Sequence, residues 1–114
     1  MKTLEELKLA GIDVDSAMER FMRNEAVLRT FLRKLPEDTS YQEMLYAIEQ
    51  KDVQRAFDSA HKLKGILGNL SITNAYNSLF WIVETLRDGE LPSDEQLSDF
   101  IAMYEECLNN VKEI

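Results

Sequence analysis

The residues best suited to chemistry lie in one short run, Ala60 to Leu70, which contains the only histidine of the chain, His61. A neutral imidazole is a nucleophile near neutral pH. Lys64 follows three residues later and, in a helix, lies on the same side as the histidine. The pair therefore predicts a nucleophilic imidazole with one positive charge beside it.

A helix that begins after Asp52 positions this pair. Its apolar or small residues recur at steps of three or four and form one stripe, made of Val53, Ala56, Ala60, Leu63, Leu67 and Leu70. At about 100° per residue, His61 lies roughly 130° from the centre of the stripe and therefore faces outward. Asp52 is the predicted N-cap, because its carboxylate can accept hydrogen bonds from the exposed first-turn amides.

Small and polar residues share this outward face with the histidine. Gly65 and Gly68 both lie within about 40° of it, although a glycine inside a helix costs on the order of 1 kcal/mol relative to alanine. Gln54 and Phe57 lie on the same face, nearer the start of the helix. The two glycines predict a bare patch where a partner can come close to His61, and Phe57 and Gln54 complete the predicted binding surface.

Simpler interpretations of each residue stay open at this point. A single outward histidine is usually a solvated side chain, and lysines cover most surface helices. Gly68 could mark the end of the helix. Phe57 is equally well explained as a partly covered residue at the edge of a bundle. The combination is more specific than any of its parts.

Residues 61–65 have the form His-x-Leu-Lys-Gly, and a short stretch that ends in Leu70 follows them. This pattern resembles the histidine-containing phosphotransfer (HPt) domain of bacterial and eukaryotic phosphorelays. The resemblance extends from about Gly11 to Glu90. It includes Gly-Ile-Asp-Val at the start, Ala60 before the histidine, and Arg-Asp-Gly-Glu at the end.

The chain departs from the family pattern just after the motif. Ser71 stands where the family usually has glycine, and Ile66 and Leu67 are bulkier than the small pair often found there. Neither departure lies on the predicted face of His61, so we expect them to affect loop geometry more than function.

The resemblance implies a phosphoryl carrier. His61 would accept a phosphoryl group from an aspartate of a receiver domain and pass it to another receiver, while Lys64 offsets the negative charge. The receiver would supply the catalytic groups and Mg²⁺, so the chain needs no cofactor and is not an enzyme by itself. Family members often place a further polar side chain from the following helix near the phosphate, and Asn77 and Arg87 are the candidates here. The implied partners are receiver domains and a hybrid sensor kinase.

Other classes of function fit the sequence less well. A metal site needs three or four ligands, whereas the chain has one histidine and one cysteine, Cys107, far apart in sequence. A hydrolase with His61 as general base would need a nucleophile and a pocket, and no motif supports either. The alternative that remains is a helical interaction module that no longer transfers phosphate, although the joint presence of His61, Lys64 and Gly65 argues against it.

Length and composition limit the number of domains and the classes of binding partner. A chain of 114 residues with 45% hydrophobic and 30% charged residues is expected to form one domain, residues 1–114. Its net charge of −8 argues against binding to nucleic acid or to anionic membranes. The single cysteine suits a reducing compartment and is predicted to be a small apolar filler. We expect a cytoplasmic monomer, and the start methionine favours a free-standing protein over one end of a longer sensor kinase.

The remaining pattern predicts helices throughout, with the fold class all-α: an antiparallel four-helix bundle with a small N-terminal helical cap. Short helices are predicted over Lys2–Leu9 and Val14–Met22, the second capped by Asp13. A further helix, capped by Asn24, runs to about Leu35, with an apolar face of Val27, Leu28, Phe31, Leu32 and Leu35. Pro36 then either begins a new helix or kinks a long one.

Capping boxes mark the starts of other helices. Thr39 with Gln42, or Ser40 with Glu43, has the required spacing, and so does Ser93 with Gln96. Between them, a helix over Thr73–Arg87 carries two apolar stripes, as expected for a helix buried on two sides. Trp81 flanks the first stripe, and an aromatic docking surface is the less favoured interpretation. Gly89 is the predicted C-cap of this helix.

Overall fold

A computed structural model describes residues 2–114, and these form seven α-helices with no strand among them. The helices are α1 (Leu4–Leu9), α2 (Val14–Arg20), α3 (Glu25–Lys34), α4 (Ser40–Glu49), α5 (Val53–Asn69), α6 (Thr73–Arg87) and α7 (Asp94–Val111). The all-α prediction is confirmed. Met1, on which the expectation of a free-standing protein partly rests, lies outside the described residues.

The last four helices pack in sequence, α4 against α5, α5 against α6, and α6 against α7. Tyr41 of α4 also reaches α7, where its ring centroid lies 6.1 Å from that of Phe100 and 4.6 Å from that of Tyr104. The Tyr41 hydroxyl donates to Glu105 Oε1 at 3.0 Å. The contact between α4 and α7 therefore combines aromatic packing with one hydrogen bond.

The core consists of the apolar stripes that the helical periodicity predicts. On α5 the buried residues are Ala56, Ala60, Leu63 and Leu67. On α6 the first stripe is fully buried, at Ala75, Leu79, Ile82 and Leu86. In the second stripe, which consists of Tyr76, Phe80 and Val83, Val83 is buried and the two aromatic residues are half-buried, while Trp81 beside the first stripe remains 64% exposed. None of the helices within residues 2–114 is both long and apolar enough to cross a membrane.

Helix α5 begins as predicted, because Asp52 Oδ1 accepts a hydrogen bond from the amide of Arg55 at 3.1 Å. The helix continues to Asn69, so Gly68 lies inside it and does not mark its end. The chain then turns through Ser71, whose φ is +55°. This left-handed conformation favours glycine, which gives a physical reason for the residue expected at this position by resemblance.

The turn between α5 and α6 contacts the turn between α1 and α2. The amide of Asp13 donates to the Ser71 carbonyl at 2.8 Å, and the amide of Thr73 donates to the Gly11 carbonyl at 3.0 Å. Gly11 has a φ of +88°, and a Cβ there would collide with the Asn74 side chain. These bonds tie the N-terminal helices to the end of α5.

Two predicted helix boundaries need correction, and the structure decides the alternative left open at Pro36. Helix α1 begins at Leu4 rather than Lys2, because Thr3 and Glu6 form a capping box. Helix α2 ends at Arg20 rather than Met22, which has a φ of +54°. Pro36 lies in a 3-10 turn over Leu35–Glu37 that separates α3 from α4.

Of the two predicted capping boxes, one is confirmed and the other is wrong. The one at Ser93 and Gln96 is formed in both directions. The one predicted at the start of α4 is not formed, and Thr39 makes no side-chain cap. The carboxylate of Asp38 takes its place, because its Oδ1 accepts from the Ser40 amide at 2.8 Å.

Helix α3 is less buried than its apolar pattern predicts. Leu28 and Leu32 are buried, whereas Val27 and Phe31 are 38% and 48% exposed. The buried Arg29 was not predicted. Its Nη1 donates to the Lys2 carbonyl at 2.8 Å, so it fastens the N-terminal segment to α3.

Candidate functional site

The His61 side chain is exposed on α5, on the side of the helix away from the buried Ala60 and Leu63. This placement follows directly from helical geometry, since the apolar stripe fixes which side of α5 meets the core. The imidazole is therefore open to a partner, as its spacing from the stripe predicts.

Phe57, one turn before the histidine, is half-buried and lies against it. The two ring centroids are 5.6 Å apart with an angle of 18° between the planes, so the rings are stacked. Arg87, the last residue of α6, places its guanidinium carbon 5.0 Å from the Phe57 ring centroid. The same guanidinium contacts the carboxylate of Glu84, with 3.4 Å between Nε and Oε1.

Lys64, one turn after the histidine, is half-buried and rests on α6. Its Nζ lies 5.3 Å from the ring centroid of Phe80, which is a cation–π contact. Lys64 forms no ion pair with any carboxylate of residues 2–114. Its charge is thus held next to the helix surface while remaining available to an incoming anion.

The two glycines of α5 differ in their surroundings, although their spacing places both on one face. A Cβ added at Gly65 would meet nothing within 4 Å, so this position is open. A Cβ added at Gly68 would lie 3.2 Å from Cε2 of Tyr76 on α6. Gly65 therefore leaves free space beside the histidine, whereas Gly68 allows a close approach of Tyr76.

The remaining predicted polar residues lie at the edges of the site. Gln54 is exposed and donates through Nε2 to Asp58 Oδ1 at 2.9 Å. Asn77 is exposed and lines a cavity of about 300 Å³ together with Gly68 and Tyr76. The structure therefore brings together His61 and Phe57, whereas Gln54 pairs with Asp58 and Asn77 lies beside Gly68 and Tyr76.

The cysteine and the acidic residues offer no second reactive centre. Cys107 is buried, and its burial raises the pKa of the thiol to about 12. This agrees with the predicted apolar filler. Within residues 2–114, no group of three His, Cys, Asp or Glu side chains is placed to hold a metal ion.

Sequence reasoning missed the contacts that α6 makes with this site. Phe80 under Lys64 and Arg87 over Phe57 are both contributions from α6 to side chains of α5. The family resemblance suggests Arg87 only as a contact for the phosphate. The only signal in the sequence was the pairing of two adjacent helices through a short turn, which brings the helices together but does not specify which side chains meet.

As a whole, the site is an exposed imidazole stacked on Phe57, with the cations of Lys64 and Arg87 held on the rings of Phe80 and Phe57. The part of the chain that the structure describes contains no group of three His, Cys, Asp or Glu side chains that could hold a metal ion here. Such a surface can carry a group that a partner delivers and removes.

Comparison with known families gives one result. A family model described as the Hpt domain matches residues 26–113, which is most of the chain. No curated protein and no solved structure matches the chain significantly.

Proposed function

The chain belongs to the Hpt domain family, and from this premise we propose that it carries a phosphoryl group on His61 between receiver domains of a two-component phosphorelay. Hpt domains are phosphocarrier modules and not catalysts. The single observation that carries the proposal is the exposed imidazole of His61, followed one turn later by the ammonium of Lys64, which has no carboxylate partner within residues 2–114, and by the open surface at Gly65.

The proposed step is a displacement at phosphorus. An unprotonated imidazole nitrogen of His61 attacks the phosphorus of a receiver's aspartyl phosphate, the new N–P bond forms, and the bond to the aspartate oxygen breaks. The aspartate leaves as a carboxylate. The reverse displacement, by an aspartate of a second receiver, returns the imidazole to its neutral form. The receiver supplies Mg²⁺ to neutralise charge on the transferred group.

The residues of this chain position and stabilise the phosphoryl group. Lys64 offsets its charge through the ammonium, which has no carboxylate partner within the described residues. Gly65 leaves room for the receiver next to the histidine, because no atom lies within 4 Å of the position that a Cβ would take. Gln54 and Gly68 lie further along the surface that we propose for docking.

We further infer the arrangement around the site. Helices α4 to α7 form the antiparallel four-helix bundle, supported by the packing of consecutive helices and by the contact of Tyr41 with Phe100 and Tyr104. Helices α1 to α3 form the N-terminal cap. We propose a single domain that acts as a cytoplasmic monomer and receives its phosphate through a hybrid sensor kinase.

Incubation with a radiolabelled phospho-receiver tests the proposal. The wild-type chain should acquire label that is lost in acid and retained in alkali, as expected for a phosphoramidate. His61→Gln should acquire none while keeping its helical circular dichroism, since the side chain is exposed. A chain that binds the phospho-receiver but never acquires label would instead be an interaction module, and label that persists in His61→Gln would place the acceptor elsewhere.

A further inference from the structure

We propose that Phe57 and Arg87 are positioning residues for His61: Arg87 holds the Phe57 ring, and the Phe57 ring holds the imidazole in the orientation from which it reacts. This inference rests on the proposed phosphotransfer function. In this proposal both side chains affect the reaction by orienting His61, and neither of them contacts the phosphoryl group.

The first observation is the stack between the two rings on α5. Phe57 and His61 are four residues apart, their centroids are 5.6 Å apart, and their planes differ by only 18°. No hydrogen bond to the imidazole occurs within residues 2–114. The stack is therefore the contact that restrains rotation of the exposed ring.

The second observation is that another helix restrains Phe57. The guanidinium of Arg87 lies over the phenyl ring, 5.0 Å from its centroid, and the Glu84 carboxylate contacts the same guanidinium. A planar guanidinium covers an aromatic face more fully than an ammonium does. The orientation of Phe57 is therefore set by α6 as well as by its own helix.

Restraint of the imidazole matters because transfer between two proteins requires an in-line approach to phosphorus. A ring that rotates freely must lose that freedom in the transition state, whereas a stacked ring has lost it beforehand. A displacement of about 1 Å at a reacting group can lower the rate on the order of a hundredfold. We therefore expect the stack to act on the rate of transfer within the complex more than on the affinity for the receiver.

The stack can be tested directly by proton NMR of the unphosphorylated protein. The Phe57 ring current should shift the imidazole carbon-bound protons from their positions in a solvated histidine. Phe57→Leu should abolish the shift and Phe57→Tyr should keep it. Arg87→Gln should reduce the shift, and Arg87→Lys should restore it only in part.

Arg55→Gln is the matched control for the arginine variants. Arg55 is exposed and pairs with Asp52 at i,i+3, with 3.5 Å between Nε and Oδ2, much as Arg87 pairs with Glu84. Arg55→Gln removes one positive charge and one i,i+3 ion pair, as Arg87→Gln does. Arg55 does not contact Phe57. The imidazole shifts should therefore be unchanged in this variant.

Kinetics of transfer from a phospho-receiver test the consequence. In single-turnover experiments, Phe57→Leu and Arg87→Gln should lower the maximal rate constant of transfer about tenfold, with the receiver concentration for half-maximal rate changed by less than about twofold. Phe57→Tyr should transfer at the wild-type rate. An unchanged maximal rate constant with a raised half-saturating receiver concentration would mean that these residues only bind the receiver, and unchanged values of both would also overturn the proposal.

The two proposals fail in different ways. If wild-type protein acquires no phosphate, the proposed function is wrong, whereas the NMR shifts still decide whether the ring is held. If wild-type protein transfers phosphate but the imidazole shifts equal those of a solvated histidine, the phosphocarrier function stands and the positioning role is overturned.

Discussion

At the level of single residues, the charge of Lys64 is held by an aromatic ring and not by an acid. A lysine on an exposed helix usually points into water with little restraint. Here the ammonium lies 5.3 Å from the centroid of Phe80, so the side chain is folded across toward α6. An attraction of this kind contributes about 0.5–1 kcal/mol at exposed sites and leaves the charge free to meet an anion.

Replacement of this lysine should separate its two contributions. Lys64→Ala should lower the free energy of unfolding by about 0.5 kcal/mol through loss of the cation–π contact and should slow phosphotransfer from a receiver. Lys62→Ala, on the exposed side of the same helix, is the matched control and should change neither quantity. Stability from urea titration and single-turnover transfer on both variants provide the check; a normal transfer rate in Lys64→Ala would leave the lysine without a role in the reaction.

At the level of helices, the site depends on how α5 and α6 approach each other. Gly68 allows Tyr76 to come close, whereas Gly65 faces open space. The same residue type therefore has two roles on one helix, three positions apart. Both positions lie in α5, where glycine has a lower helix propensity than alanine. The stabilities of their alanine variants can therefore be compared directly.

Alanine at the two glycines should have unequal effects. Gly65→Ala should raise the free energy of unfolding by up to about 1 kcal/mol, because it removes the helix penalty and meets no neighbour. Gly68→Ala should gain less, because the new Cβ lies 3.2 Å from the Tyr76 ring and that ring must shift. Equal melting temperatures in the two variants would contradict this distinction.

A larger side chain at Gly65 should expose the role of the open surface in docking. Gly65→Gln should also stabilise the helix by up to about 1 kcal/mol, yet it should weaken receiver binding and slow receiver-dependent transfer. Phosphorylation by phosphoramidate, a small donor that needs no docking surface, should be much less affected. A more stable protein that transfers from the receiver at the normal rate would remove the docking argument.

At the level of the whole molecule, three ionisable groups are buried without charge between the last helices. Burial raises the pKa of Tyr104, and burial together with a hydrogen bond to Glu105 raises that of Tyr41. Burial raises the pKa of the Cys107 thiol to about 12, from 9.0 in an unperturbed thiol. Burial in the folded state thus favours the neutral form of all three groups.

Stability should consequently fall in alkali. A pKa that is raised in the folded state contributes stability below the unfolded value, and this contribution is lost as the pH rises toward the folded value. The loss should begin near pH 9.0 with the thiol and continue above pH 10.0 with the phenols. Urea titrations between pH 7 and about 11 provide the measurement.

Tyr41→Phe isolates one group within this pH dependence. It should be less stable than wild type at neutral pH, because the hydrogen bond to Glu105 is lost. It should also lose less stability above pH 10.0, because one phenol no longer titrates. A slope identical to that of wild type would show that Tyr41 does not contribute to the alkaline loss.

The sequence by itself determined the helices and the exposed side of α5. Periodicity placed α6 at its observed bounds, Thr73–Arg87, and the position of the apolar stripe set the outward direction of His61. Both are local properties, since they depend on residues within a few turns of one helix. The local pattern did not specify every helix end: α2 ends at Arg20 and not at the predicted Met22, and at the start of α4 the Asp38 carboxylate takes the place of the predicted capping box.

Only the tertiary structure decided which side chains meet at the site. Phe57 and Arg87 lie thirty positions apart in the sequence, and no local pattern sets the rotation of α6 about its axis relative to α5. The same rotation puts Tyr76 against Gly68 and leaves Gly65 open. It is set by the fit of two helix surfaces, whose side chains interlock as a whole, and this collective packing is not encoded in the spacing of any one motif.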